Sequence, residues 1–280
     1  MLTRTTVSII AMLLVAASAN AVTITQNFAA DPSWTKYEPT SPACSFTYMS
    51  SGYIDATLRR GPNMGAYFTA LDQSYFMPQG QNGAATVSDI YIGVDIMATK
   101  NSLAAAQIGI FNTPTAGAYS TTSLNSLAFE PFPTLMMRSE KQGPAGYAGY
   151  ETSTGVAITT VDTYRWQAHY FMTGANVYAQ VKVTKFDALT GVKTVVADVA
   201  PILLFSSSTG GWDTTGMAAF GIRNVYRSTT TSTAVTMAVD NLYFSTDGAV
   251  NMANPSWVVP EPATMALLAI GGAVVLRRRK

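Results

Sequence analysis

From Val22 to about Val250, apolar residues rarely recur at the three-and-four spacing of a helical stripe; they alternate with polar ones over short runs. In "DIYIGVDIMA" the alternation sets Ile90, Ile92, Val94 and Ile96 on one face and Tyr91, Gly93, Asp95 and Met97 on the other, the pattern of a half-buried strand. "AQIGIFN", "VKTVVADVA", "AAFGIRNVY" and "AVTMAVDNLYF" read the same way, with Gly, Pro, Asn and Ser clusters between them. Many short strands broken by turn signals predict an all-β fold, an antiparallel two-sheet sandwich.

One segment predicts its own partner. In "TYRWQAHYFMTGANVYAQVKVTKF", Thr163 to Phe186, a turn at Thr173-Gly174 pairs Tyr170 with Val177, Ala168 with Ala179, Trp166 with Val181 and Tyr164 with Val183, all on an apolar face. The other face then pairs His169 with Tyr178, Gln167 with Gln180 and Arg165 with Lys182. A shift by an even number of residues changes the partners and keeps the faces; an odd shift mixes them and buries charge.

The two ends break the pattern. "MLTRTTVSIIAMLLVAASANA" has a cation near its start, an apolar stretch and small residues at Ala19 and Ala21, which reads as a secretory signal over residues 1–21 cut before Val22. At the other end, Pro260-Glu261-Pro262 precedes fourteen residues without charge or proline, Ala263 to Leu276, and then Arg277-Arg278-Arg279-Lys280. A helix of that length reaches about 21 Å, short of the roughly 30 Å of a bilayer core. The layout expected is a signal peptide at 1–21, a sandwich over 22–250, a linker over 251–258 and a tail over 259–280.

Composition narrows the chemistry. Of 17 cations, Arg4 and the four of the tail lie outside the body, leaving 12; of 16 acids only Glu261 does, leaving 15. The body has a formal charge near minus three and its cations are scattered, so a nucleic-acid partner is not expected. Cys44 is the only cysteine, which rules out an intramolecular disulfide and makes it a small buried hydrophobe rather than a nucleophile. His169 is the only histidine, which excludes a multi-histidine metal site.

No nucleophile elbow, phosphate loop, zinc-protease helix or calcium loop occurs, and none of the body's four glutamates has an acidic neighbour within four positions. No enzyme is therefore expected. The strip Arg165, Gln167, His169, Tyr178, Gln180 and Lys182 is a candidate ligand face for a hydroxylated compound, or simply the solvated side of a sheet. "EKQGPAGYAGYETSTG" reads as a glycine-rich loop carrying Tyr147 and Tyr150, and "STGGWDTTG" as a loop tip carrying Trp212; such rings either stack on sugars or lid the sandwich. Asp240 and Asn241 interrupt the last strand, where they serve either a structural calcium, the one cofactor considered, or a bulge.

The C-terminal segment, with Pro260-Glu261-Pro262, its short apolar helix and Arg277-Arg278-Arg279, resembles the PEP-CTERM sorting signal of bacterial exported proteins. That resemblance implies a tail held transiently in the inner membrane with its basic end cytoplasmic, and an exosortase-type membrane protease that reads the motif and cuts nearby. It also implies association with exopolysaccharide at the cell surface or in the extracellular matrix. The body is similar to concanavalin A-like jelly rolls: it opens on Phe28, Asp31 and Trp34, has a central pair of strands at Thr163 to Phe186, and closes on "VDNLYFS". It departs from the laminarinase-like enzymes of that fold in lacking their Glu-Xaa-Asp-Xaa-(Xaa)-Glu strand. The expectation is a non-catalytic surface protein that binds polysaccharide; the alternatives are a glycan-active enzyme with carboxylates from separate strands, and a matrix protein with no ligand.

Overall fold

The computed structural model describes residues 22–41, 43–71, 89–98, 106–117, 126–131, 134–143, 146–157, 162–173, 176–187, 190–205, 217–225 and 234–255. Their regular structure is all strand. In chain order the strands are β1 (Thr23–Gln26), β2 (Thr35–Tyr37), β3 (Ser45–Met49), β4 (Tyr53–Leu58), β5 (Ala66–Ala70), β6 (Asp89–Ala98), β7 (Ala106–Asn112) and β8 (Ser126–Pro131). There follow β9 (Thr134–Gly143), β10 (Gly146–Ala157), β11 (Thr163–Thr173), β12 (Asn176–Phe186), β13 (Lys193–Phe205), β14 (Met217–Asn224) and β15 (Val235–Ser245).

They form two antiparallel sheets. Sheet A runs β13-β12-β11-β6-β15-β4-β3, with β1 added beside the end of β15; sheet B runs β10-β9-β8-β7-β14-β5-β2. The expected two-sheet antiparallel sandwich is what the chain builds. Pairing of sequence neighbours does not suffice for this: β15 lies between β4 and β6, and β14 between β5 and β7.

The alternation read from sequence sets the core. Ile90, Ile92, Val94 and Ile96 of β6, Tyr164, Trp166, Ala168 and Tyr170 of β11, and Ala179, Val181 and Val183 of β12 are buried against Ile108, Ile110, Leu127, Phe129, Phe220 and Ile222 of sheet B. Rings bridge the sheets: Phe129 stacks on Trp166 with centroids 4.6 Å apart, and Phe46 on Tyr67 at 5.8 Å. Phe28 and Trp34 meet edge to face at 6.1 Å and close one end of this core. Cys44 is buried, and burial pushes its thiol up from the ordinary value, as expected of a packing residue.

The hairpin register differs from the sequence expectation. The ladder is centred one residue later than expected, so Tyr170 faces Ala179, Trp166 faces Val183, and the polar pairs become His169 with Gln180, Gln167 with Lys182, Arg165 with Thr184 and Phe171 with Tyr178. Moving the turn by one residue shifts every pair by two, and a shift of two keeps each side chain on its face. A second correction concerns Glu140 to Gly155. Instead of a loop, this stretch is most of the β9–β10 hairpin, with Tyr147 opposite Gln142 and Tyr150 opposite Ser139. Tyr147, Tyr150, Thr152 and Thr154 on β10 are residue types that suit a strand.

Candidate functional site

The outer face of sheet A carries the site. On β11 the residues opposite the core set are Arg165, Gln167, His169 and Phe171; β12 contributes Tyr178, Gln180, Lys182 and Thr184, and β6 contributes Asp89, Tyr91, Gly93 and Asp95. The structure thus brings together the six residues of the predicted strip, and it divides them into three unlike parts.

The first part is a row of rings. Tyr91 and His169 stack with centroids 4.2 Å apart and planes 4° from parallel, Phe171 lies 4.9 Å from His169, and Tyr178 stacks on Phe171 at 5.6 Å. His169 Nε2 is 2.5 Å from Asp89 Oδ1, which orients the imidazole. All four rings are half-buried, so each is fixed by its neighbours and still meets solvent. Burial, with the Asp89 charge adding to it, pushes the Tyr91 phenol above its ordinary value, so it stays a neutral donor. Tyr91, Asp89 and Phe171 were not singled out from sequence, although each occupies a polar-face position in its strand.

The second part is a buried clamp. Arg165, expected on an open ligand face, is only 6% exposed. Its Nε and Nη2 donate to the two oxygens of Asp95 at 2.7 and 2.6 Å, its Nη1 donates to the Met252 carbonyl at 3.0 Å, and Nη2 also reaches the Ala253 carbonyl. Asn241 Nδ2 donates to Asp95 Oδ2 at 2.7 Å. Burial pushes the Asp95 carboxyl up, and the hydrogen bonds and charge of Arg165 with the Asn241 amide pull it back. A charge this enclosed persists only when paired, which is why the fork geometry of arginine is used here.

The clamp depends on a bulge. Between Asp240 and Tyr243 the pairing of β15 with β6 slips by one residue, and Asn241 takes a left-handed conformation, φ +49°. That extra residue turns the Asn241 amide toward Asp95 while returning Leu242 and Phe244 to the core. Asp240 Oδ1 accepts the Asn241 backbone N–H at 2.6 Å, so the bulge expected as one role for this pair is present. No three His, Cys, Asp or Glu side chains gather as a metal-binding group among the described residues.

Through this clamp the chain after β15 crosses sheet A. Residues 251–255, expected to begin a linker, are docked as far as Pro255, with Met252 and Pro255 buried. Beneath them Tyr243 is buried, takes a hydrogen bond from Gln167 Nε2 at 3.1 Å, and is raised in pKa by that burial. Gly93 makes room for it: a Cβ at Gly93 would lie 2.0 Å from the Tyr243 ring.

The third part is a pocket of about 300 Å³ between β11, β12, β13 and this crossing segment. Arg165, Gln167, Lys182 and Thr184 form its floor, Lys193 and Val195 one side, and residues 250–252 the other.

Other predicted positions fall elsewhere. Tyr147 and Tyr150 lie on β10, in sheet B, away from the strip. Trp212, the secretory signal at 1–21, Pro260-Glu261-Pro262, the apolar segment 263–276 and Arg277, Arg278 and Arg279 lie outside the described residues.

An all-β sandwich with a polar, ring-bearing outer face is the class that fold and site define. The particular assignment comes from the tail: residues 258–280 match the family described as the PEP-CTERM protein-sorting motif. The chain carries the sorting signal of an exported protein handled by exosortase. Comparison with curated proteins finds no significant match. Solved structures similar to the body include arcelin-5, a lectin-like defence protein from Phaseolus vulgaris (12% identity, 80% of this chain and 97% of that one, TM-score 0.44). Others are a Lotus tetragonolobus seed lectin (8%, 83% and 100%, 0.45) and a β-glucanase catalytic domain from Podospora anserina (13%, 80% and 87%, 0.34).

Proposed function

We propose that this protein is an exported, exosortase-processed component of the cell surface or extracellular matrix whose body, without catalytic activity, binds polysaccharide on the outer face of sheet A. The observation that carries the reading is the row Tyr91, His169, Phe171 and Tyr178, flanked by the amides of Gln167 and Gln180. A sugar offers apolar C–H patches and hydroxyls together, and this face offers ring surface and hydrogen-bonding groups together. The absence of catalysis is supported by the fate of the two acids that sheet A places opposite each other. Asp95 and Asp240 pair across β6 and β15, yet both are buried, one engaged by Arg165 and the other by the backbone N–H of Asn241. A glycosidase needs two carboxyls about 5 to 10 Å apart and open to the scissile bond.

Affinity electrophoresis through gels containing neutral and acidic polysaccharides tests the binding. The protein is expected to be retarded by at least one, and Tyr178→Ala to migrate faster in that gel and unchanged in a blank one. Unretarded migration across the whole panel would overturn the binding. The sorting is tested separately: Glu261→Ala, or removal of residues 277–280, is expected to leave uncut precursor in the inner membrane. Normal release of both variants would remove exosortase from the account.

A further inference from the structure

Three features of the molecule stand outside the ring row: the Arg165 clamp, the charged residues on the outer side of sheet B, and the pocket. The clamp is saturated by its own partners, and Arg60, Glu130, Gln107 and Arg223 of the sheet B region are buried. Only the pocket is both open and chemically one-sided.

Its charge is unbalanced. Arg165, Lys182 and Lys193 line it and no acid does. Asp95 beneath the floor neutralises one of the three cations. Asp198, opposite Lys182 on β13, lies outside the lining, and neither lysine belongs to an ion pair among the described residues. Two ammonium groups therefore line the same small volume, with Asp95 beneath the floor and Asp198 opposite Lys182 as flanking acids outside the lining.

One of them is positioned. The Phe186 ring, buried on this outer face, has the Arg165 guanidinium 5.1 Å from its centroid and the Lys193 ammonium 5.6 Å away. The cation–π contact favours a Lys193 position at the pocket wall and offsets part of the entropy lost in ordering its side chain. Gln167 supplies an amide and Thr184 a hydroxyl, which are the uncharged hydrogen-bonding groups an acidic sugar also needs.

The pocket is continuous with the ring row. Gln167 lies between them on β11, two residues from His169 on one side and from Arg165 on the other. At about 3.4 Å per residue, His169 and Arg165 are roughly 14 Å apart, a span of several sugar units rather than one.

We infer that the pocket between β11, β12, β13 and residues 250–252 takes an acidic substituent, a carboxylate or a sulfate, of a polysaccharide that also lies along the ring row, with Lys182 and Lys193 as its counter-ions. This deepens the binding reading above and rests on it. An anionic lipid surface has the same charge, but a membrane meets protruding cations on a broad surface. Here the cations line a concavity and share their face with amides and half-buried rings.

The test uses the full chain, its Lys182→Gln/Lys193→Gln double variant, Tyr178→Ala, and Lys36→Gln on β2 of sheet B as a control for loss of a cation away from the pocket. Each is measured in affinity gels against polygalacturonate, dextran sulfate and uncharged dextran, and by co-sedimentation with vesicles containing one-third phosphatidylglycerol. The expected result is affinity for an acidic polymer that falls on the order of tenfold in the double variant and falls further with salt, with Lys36→Gln unchanged. Tyr178→Ala weakens binding to any polymer bound. Retention of dextran as strong as that of the acidic polymers, unaltered in the double variant, would overturn the charge assignment and leave the binding reading standing. No retention by any polymer would overturn both, and lysine-dependent vesicle binding without polymer binding would replace them with a lipid surface. Matching thermal melts show that Lys182 and Lys193, both exposed, act on binding and not on folding.

Discussion

The outer faces of the two sheets have opposite characters. On sheet B, Ala66, Phe68, Phe111 and Ala219 form a second buried apolar cluster with Met64, and Arg223 lies with its guanidinium 5.0 Å from the Phe111 centroid while its Nε donates to Gln107 at 2.8 Å. The chain from Arg59 to Gly65 contributes Met64 to this cluster and is pinned by Asn224, which donates to the carbonyls of Arg59 and Asn63 and accepts from the Gly65 N–H. On sheet A, the corresponding face keeps half-buried rings, amides and the exposed Lys182 and Lys193 in contact with water, except where the C-terminal segment is clamped over it. Both faces belong to one sandwich, and burial on both sides of β7 and β14 makes that part of sheet B a structural layer. In the proposed function, sheet A is the layer that meets a ligand.

The clamp is the exception on sheet A, and removing it has the largest expected effect. Arg165→Ala leaves Asp95 buried without its cation, and a loss of about 3–5 kcal/mol is expected in urea unfolding. Converting both to apolar residues, as in Arg165→Met with Asp95→Leu, should recover much of it; a double variant as unstable as the single would show that the carbonyls of residues 252 and 253, not the charge, dominate.

Phe111→Ala, on the outer face of sheet B, is expected to cost about 3–4 kcal/mol, since the ring is fully buried. Tyr178→Ala, on the outer face of sheet A, should cost less than about 1 kcal/mol and yet abolish most polysaccharide retention. Denaturation midpoints and gel mobilities measured on the same samples check this inversion, and a Tyr178 variant as destabilised as Phe111→Ala would erase the contrast between the faces.

Glycines divide the faces in the same way. At Gly221 on β14, with φ +157°, a Cβ would stand 2.2 Å from the Tyr67 carbonyl oxygen, so backbone must move; at Gly93 it would meet the ring of Tyr243. Gly221→Ala is expected to cost about 2–3 kcal/mol and Gly93→Ala about 1–2, with the second also loosening residues 250–255 in hydrogen exchange. The smallest effect belongs to Lys185, whose exposed ammonium lies 2.7 Å from Asp162 at the start of β11. Lys185→Ala should change stability by less than about 0.5 kcal/mol, further reduced in high salt.

Much of this was legible in the chain. The alternation of Ile90 to Ile96 and of Tyr164 to Tyr170 assigns those residues to the core, and it does so through an error in the turn, because a register displaced by two leaves every face intact. The Glu140 to Gly155 stretch shows where pattern reading failed: its glycines signal a turn, but its pairing with residues 134–143 shows only in the ladder. Asp89, Tyr91 and Lys193 escaped notice for a related reason, since each is unremarkable on its own strand and joins the site only beside β11 or β12.

The sequence by itself determined which residues of β6, β11 and β12 face inward, the β11–β12 hairpin of sheet A, and the sorting tail, because side-chain period and short motifs are local. Tertiary structure alone decided that β6 lies beside β11, that Asp95 meets Arg165 across 70 positions, and that residues 252 and 253 return to cover them. A strand's alternation distinguishes its two faces without saying which strands flank it or what lies over the outer one. Those depend on long-range pairing, and with it the conversion of one arginine of the polar strip into a clamp while two lysines were left open.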